Sequence, residues 1–369
     1  MRKRKFGAYF YSRLFLWGLA RRLCCSLPIQ LTLFVTAHCN ARCKMCFYAE
    51  RKNQTELSLK ELEDISKKMR SFPYLLITGG EPFLRKDLPQ ICELFYRNNR
   101  VQHITIPTNA ILTQEIEEQA KKILEKCPDA ILAINLSLNG VGAGHEIING
   151  IEGSFNAFSR SYDRLLQLKQ ANPNLFLNIM FTFTRYNEDT LKEVYEYAVK
   201  KFRPNDFGVI LVRGKPREMK AKEIAIEKYK EGTRDIDITM FKDHAVGKYN
   251  NIFSQIMASR TSLMHKLNAL TVQGKKSYLP CFAGKLNAVI TEAGDVYPCE
   301  LLNRKFGNLR DCDYDFQKIW RSTFARETRR WIKKTKCTCT HECYVPLSIL
   351  YSTRGFISLL KEWSTLRSL

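Results

Sequence analysis

Between Leu31 and Arg213 the chain alternates between two kinds of segment, and this alternation limits the fold more than any other feature. Six apolar runs rich in β-branched and aromatic residues read as strands: LTLFVT (31–36), YLLIT (74–78), HITIPT (103–108), AILAINLSL (130–138), LFLNIMFTF (175–183) and DFGVILV (206–212). Charged stretches of helical period lie between them. LSLKELEDISKKMRSF carries Ser58 with Glu61 three residues on, the pattern of a capping box. TQEIEEQAKKILEKC starts at Thr113, and NEDTLKEVYEYAVKKF starts at Asn187 with acidic residues in its expected first turn. Strand–helix alternation predicts parallel βαβ units. Six units are too few to close an eight-stranded barrel. The expected fold is therefore α/β, a partial (β/α)6 TIM-like barrel followed by a small C-terminal cysteine-rich domain.

The 369 residues suit one large α/β domain plus a smaller one. A 45% hydrophobic fraction is enough to build a core, so stability does not require disulfides. Thirteen cysteines is nevertheless a high count, and no secretory signal with a small-residue cleavage site is visible. Thiols used as metal ligands in a reducing, cytoplasmic compartment are the better reading than a disulfide scaffold. The net charge of +22 favours anionic partners such as nucleic acid, lipid headgroups or phosphorylated substrates, although a solvated basic surface accounts for part of the excess.

Five regions follow from these patterns. Residues 1–30 interleave Arg2, Lys3, Arg4, Lys5, Arg13, Arg21 and Arg22 with Phe6, Tyr9, Phe10, Phe15 and Trp17. Such a segment suits either a helix in a membrane interface or a helix packed on the protein itself. Its longest apolar run, Leu14 to Ala20, is too short to span a bilayer. Residues 31–213 form the α/β core. Residues 214–277 read as a charged linker or insertion ending in one amphipathic helix over 252–272. Residues 278–346 form the cysteine-rich domain, and 347–369 an aromatic, basic tail.

Directly after the first strand comes TAHCNARCKMCFYAE, with Cys39, Cys43 and Cys46 spaced C-x3-C-x2-C. This loop lies at the carboxyl end of a parallel strand, where α/β sites form. Three thiolates there can bind three irons of a [4Fe–4S] cluster and leave the fourth open. A zinc site with a distant fourth ligand is the alternative for the cysteines alone. ITGGEPFL (77–84) follows the second strand, PTNA (107–110) the third and LSLNG (136–140) the fourth. Together these motifs resemble the radical SAM superfamily, whose open iron chelates S-adenosylmethionine (SAM). One electron then cleaves the sulfonium to methionine and a 5′-deoxyadenosyl radical. The resemblance implies SAM contacts at Gly79, Gly80 and Glu81, the family's GGE motif, and at Asn109, Ser137, Thr184 and Arg185, with Asn187 a further candidate. Met45 stands where the family often has an aromatic residue, and with Phe47 it is expected to cover apolar cofactor surface. Ala110 replaces the family's glycine, and Asn139 its aspartate.

The second cysteine group resembles the SPASM and twitch domains of the same superfamily. Cys281-x12-Gly294-x4-Cys299 matches the first half of their pattern, and KCTCTHECYV adds Cys337, Cys339 and Cys343. Five thiols cannot fill two cubanes with four thiolates each. One auxiliary [4Fe–4S] cluster held by four of the five is expected, giving two clusters in all. The spare thiol or His341 is left for the surroundings of the cluster, and zinc is the alternative occupant. Cys24, Cys25, Cys92, Cys127 and Cys312 lack ligand spacing.

The resulting expectation is an enzyme that cleaves SAM reductively and abstracts a substrate hydrogen. It would take its electron from a carrier such as flavodoxin or ferredoxin. The basic, aromatic termini point to an anionic membrane surface at the inner face and a lipid-like substrate. A maturase of ribosomally made peptides is the alternative. A zinc-binding nucleic-acid protein is the third reading, and nucleic acid is not the expected partner. No residue is assignable as general acid or base.

Overall fold

The computed structural model describes residues 27–49, 55–243, 252–275 and 279–369. The basic segment ahead of Leu27, with Cys24 and Cys25, lies outside the described residues. Six parallel strands alternate with helices as expected. They are β1 (Gln30–Thr36), β2 (Tyr74–Gly79), β3 (His103–Thr108), β4 (Ile131–Ser137), β5 (Leu175–Phe183) and β6 (Asp206–Leu211). The helices between them are α1 (Leu59–Lys68), α2 (Leu88–Asn99), α3 (Thr113–Lys126), α4 (Ala143–Asn149), α5 (Ser154–Ala171) and α6 (Leu191–Lys201). Ser58 caps α1 through the capping box with Glu61. The helix expected to begin at Asn187 begins later, at Leu191, because Asn187 is buried and spends its side chain on Thr184, Asn139 and Thr182.

Strand order is β6-β5-β4-β3-β2-β1-β7-β8-β9 in a single sheet. Here β7 is Asn287–Ile290, β8 Asp295–Tyr297 and β9 Gly307–Asn308. The first six strands make the partial barrel. Past them, β7 pairs parallel with β1, from Gln30 opposite Asn287 to Leu33 opposite Ile290. β8 and β9 then add antiparallel. β1 is thus an interior strand with neighbours on both edges, and every one of its residues is buried. Gly294, at φ 86°, makes the turn between β7 and β8 that only a residue at ease in the left-handed region adopts without strain.

The charged stretch expected as a linker contains a helix, α7 (Ile226–Asp243), that packs on α8 (Ile252–Val272). Tyr229 and Ile236 of α7 are buried, and Asp237 hydrogen-bonds Nδ1 of His265 on α8 at 3.0 Å. The cysteine-rich region continues with α9 (Phe316–Trp320) and α10 (Thr323–Lys334). The terminal stretch is a helix pair, α11 (Val345–Tyr351) and α12 (Thr353–Arg367), folded against α8 through Ile349 and Leu359. Among the described residues no helix is long and apolar enough to cross a membrane.

Charge ties the cysteine-rich region to the barrel. Arg310 bonds Glu61 at 2.6 Å, and its guanidinium also donates to the carbonyls of Thr55 and Ala293. That contact holds the Glu61 carboxyl down at about 2.

Candidate functional site

The loop after β1 is fixed at both ends by backbone hydrogen bonds. Arg42 and Lys44 donate to the carbonyls of Asn149 and Ile148 at the end of α4, at 2.9 and 3.1 Å. Arg217 and Glu218, beyond β6, donate to the carbonyls of Cys46 and Lys44 at 3.0 and 2.9 Å. Strand ends far apart in sequence therefore set the position of the thiols. Tyr48 stacks on Phe34 with centroids 4.4 Å apart and hydrogen-bonds Glu292, which joins the loop to the far side of β7.

The second strand end presses on this loop. Gly80 and Glu81 donate to the carbonyls of Thr36 and His38, each at 2.8 Å. A Cβ at Gly80 would stand 2.0 Å from the His38 carbonyl oxygen, and one at Gly79, where φ is 148°, would stand 2.2 Å from that of Thr36. Both positions need glycine for close backbone approach.

Cys39 is exposed and accepts from the Ala41 amide at 3.4 Å, with the Asn109 amide 3.8 Å away. The Cys43 thiol approaches Asn149 Oδ1 at 3.7 Å. Burial pushes Cys43 up to about 12, with Cys46 and Cys39 adding to the rise. Three thiols gathered on one short loop suit a cationic centre, which takes them as thiolates and releases their protons. The donor set and the glycine-lined approach fit a cluster held by Cys39, Cys43 and Cys46 with a cofactor against it.

A cavity of about 820 Å³ opens from the thiols into the barrel. Cys43, Met45, Cys46, Phe47, Gly79, Asn109, Ser137 and Asn139 line one end of it. The other expected contacts sit differently. Glu81 is buried behind the strand ends and accepts from Thr108 Oγ1 at 2.9 Å, the Asn109 amide at 2.8 Å and the Phe83 amide at 3.2 Å. Its carboxylate therefore latches β2 to β3, and the motif meets the cavity through Gly79. Thr184 and Arg185 are not brought to the cavity. The Thr184 hydroxyl is buried on Asn187 at 2.9 Å, and Arg185 turns to Glu188 at 2.7 Å. Asn139 and Asn149 line the cavity without having been expected as contacts, although both sit in the loops and helix that follow β4. Ala110 takes the left-handed conformation, φ 63°, that the family's glycine adopts freely.

Burial raises the Glu81 carboxyl to about 7, against the three hydrogen bonds that lower it. Between its ordinary value near 4.5 and 7 the folded chain therefore holds a proton that the unfolded chain releases. Stability from this group is full below the lower value and is lost as pH rises through the window, by up to roughly 3 kcal/mol. Glu81→Gln is expected to flatten this slope in equilibrium denaturation. An unchanged slope would show that Glu81 folds ionised.

The second cysteine group surrounds Ala283, Ile332 and Tyr344. A hydrogen bond to Cys337, and then burial, push Cys281 up. Burial raises Cys299 to about 12 and Cys339 to about 11. The charge of Cys339 also acts on both Cys281 and Cys299. These mutual effects mark a second thiol set suited to a cluster. Cys343 stands otherwise. It lines the cavity, and its Sγ shares a group with Glu300 and His341 whose ligand-type atoms lie within 4.8 Å of one another. That group is satisfied without a cation. His341 Nδ1 accepts from the Cys343 amide at 3.1 Å, so the Nε2 proton faces Glu300 at 2.5 Å. Arg213 reaches Glu342 at 2.7 Å and Glu300 at 3.9 Å, with its guanidinium over the Phe47 ring. Burial pushes the Glu300 carboxyl up, but His341 and Arg213 outweigh it and hold the group below its ordinary value. The sequence marks neither Arg213 nor Glu300, although Glu300 directly follows a cysteine of the pattern.

Known proteins resemble this chain over both of its cysteine-bearing regions. Residues 33–198 match the Radical SAM superfamily, and residues 281–344 match SPASM, an iron–sulfur cluster-binding domain. The chain contains a radical SAM domain followed by a C-terminal SPASM domain. It is 25% identical over 203 residues to the Fe-coproporphyrin III synthase of Methanosarcina barkeri, a match covering 53% of this chain and 48% of that one. The chain thus spans about half the length of that relative. It is 26% identical over 332 residues to the mycofactocin maturase MftC of Mycolicibacterium smegmatis, covering 85% of this chain and 76% of that one. The solved structure of anSMEcpe with bound AdoMet shares the fold at a TM-score of 0.60 and 18% identity, covering 93% of this chain and 99% of that one.

Proposed function

We propose that the chain cleaves SAM reductively and uses the product radical to abstract a hydrogen from a substrate held in the barrel cavity. The observation that carries this is the three-thiol loop after β1, whose Cys43 and Cys46 line the cavity and whose backbone at Thr36 and His38 is met by Gly79 and Gly80. Cys39, Cys43 and Cys46 would hold one [4Fe–4S] cluster, which when bound supplies one electron to SAM for its cleavage to methionine and a 5′-deoxyadenosyl radical. Gly79 gives the cofactor's polar end close access to backbone. Asn109 and Ser137 offer hydrogen bonds from the ends of β3 and β4, and Met45 and Phe47 offer apolar cover. Cys281, Cys299, Cys337 and Cys339 would hold one auxiliary [4Fe–4S] cluster. Full thiolate ligation leaves no open iron there, which favours electron transfer.

The substrate is read as a lipid-like anion met at a membrane's cytoplasmic face. This is supported by the net charge of +22 and by the apolar side chains that α8, α11 and α12 turn into the cavity. The external reductant would be a flavodoxin or ferredoxin. A peptide substrate is the second reading, favoured by the match to a maturase over 85% of this chain. Anaerobic reconstitution with dithionite and SAM tests the reaction, with 5′-deoxyadenosine as the expected product. Failure to form it from fully reconstituted protein sinks the proposal.

A further inference from the structure

We infer that Arg260 anchors the anionic headgroup of an amphipathic substrate whose apolar part fills the chamber between α8 and the α11–α12 pair. The inference rests on the substrate reading above and gives it a site. Met257, Arg260, Thr261 and Met264 recur at helical spacing, so one face of α8 looks into the cavity. Leu350 and Phe356 line the same chamber from the terminal helices. These are adaptable apolar walls, and Arg260 is the cation set among them.

Its pairing sets it apart. The other cations nearby are matched: Arg213 with Glu342 at 2.7 Å and Lys266 with Glu362 at 2.6 Å. Asp237, the acid of α7 that lines the cavity, is bound to His265 at 3.0 Å. Among the described residues Arg260 makes no ion pair, and its buried Nε has no hydrogen-bond acceptor. An Nε–H held out of water without an acceptor is costly, even on a half-buried side chain. A carboxylate or phosphate brought by a ligand removes that cost, and its planar fork fits either anion. Arg260 lines the same cavity as Cys43 and Cys46 of the cysteine loop, so an anchor here leaves the far end of the molecule free to reach toward the SAM end.

The test uses the reconstituted holoenzyme and the displacement of the fluorescent apolar probe N-phenyl-1-naphthylamine by laurate, lauryl phosphate and dodecanol. The two anions are expected to bind at least about tenfold more tightly than dodecanol, the size of one charge-assisted contact. Arg260→Gln should abolish that preference while keeping dodecanol affinity, and Arg260→Lys should retain most of it. Tighter binding of lauryl phosphate than of laurate assigns a phosphate headgroup, and the reverse a carboxylate. Met264→Trp, which fills the chamber without changing charge, should weaken all three. Equal affinities in the unaltered enzyme overturn the inference, as does an Arg260→Gln loss that is the same for dodecanol as for the anions. The readout needs no SAM turnover. A chain that cleaves no SAM but passes this comparison keeps the anchor, and one that cleaves SAM but fails it loses the anchor alone.

Discussion

Cys43→Ala is expected to lower 5′-deoxyadenosine formation by about three orders of magnitude, equivalent to about 4 kcal/mol of barrier. Bound iron should fall from about eight to about four atoms per chain, the content of one cubane. The reason is ligand count. Cys43 is the central thiol of the three, and truncation leaves only Cys39 and Cys46 on the loop. The loop itself should survive, because it is held by backbone hydrogen bonds at Arg42, Lys44, Arg217 and Glu218 and by the stacking of Tyr48 on Phe34. The substitution removes the weak approach of Sγ to Asn149 Oδ1 at 3.7 Å and leaves those supports in place. Thermal unfolding of the variant should therefore stay close to that of the parent while the chemistry stops. Iron analysis and product assay on the same anaerobic sample measure both. Product at the parental level would remove these thiols from the reaction.

Much of this arrangement is legible in the sequence, for a physical reason. β1 to β6 are strands joined by local helices, so each announces itself through its own local pattern, and α1 also through its cap. Ser58 and Glu61 show this at residue level. What stays hidden depends on partners distant in the chain. The junction of β7 with β1 sets Gln30 opposite Asn287, and no local pattern near either residue encodes it. α7 escapes a reading by composition because its charges mask a stripe of Tyr229, Thr233, Ile236 and Met240, which helical spacing reveals. Motif likeness carries Thr184 and Arg185 toward the cofactor, but Asn187 and Glu188 claim their side chains. Glu81 belongs to the expected motif but faces the other way, since a carboxylate accepting two backbone amides and a hydroxyl works on the strand ends. Arg260 carries no motif. Only its lack of an ion pair among the described residues, visible once the helices are packed, distinguishes it from a surface cation.

The five thiols of the cysteine-rich region should divide four to one. Replacing Cys281, Cys299, Cys337 or Cys339 with Ala is expected to halve bound iron to about four atoms and to abolish the auxiliary cluster's signal in electron paramagnetic resonance. Cys343→Ala should keep about eight. The division follows from which groups each thiol meets. Cys281 meets Cys337, and the charge of Cys339 bears on both Cys281 and Cys299, so these four sense one another. After burial, the groups that raise Cys343 are carboxylates, Glu342 and then Glu300, and Arg213 opposes them. Its neighbours already pair with one another, Glu300 with His341 and Arg213 with Glu342. A thiolate there would add an uncompensated negative charge beside Glu300, whose own charge His341 and Arg213 already balance, a cost a cluster ligand avoids by binding iron. Removing the Cys343 thiol leaves the His341 and Arg213 contacts in place, since the Cys343 atom that bonds His341 is its backbone amide. If Cys343→Ala loses the auxiliary cluster while one of the other four variants keeps it, the quartet is misassigned and Cys343 takes that residue's place.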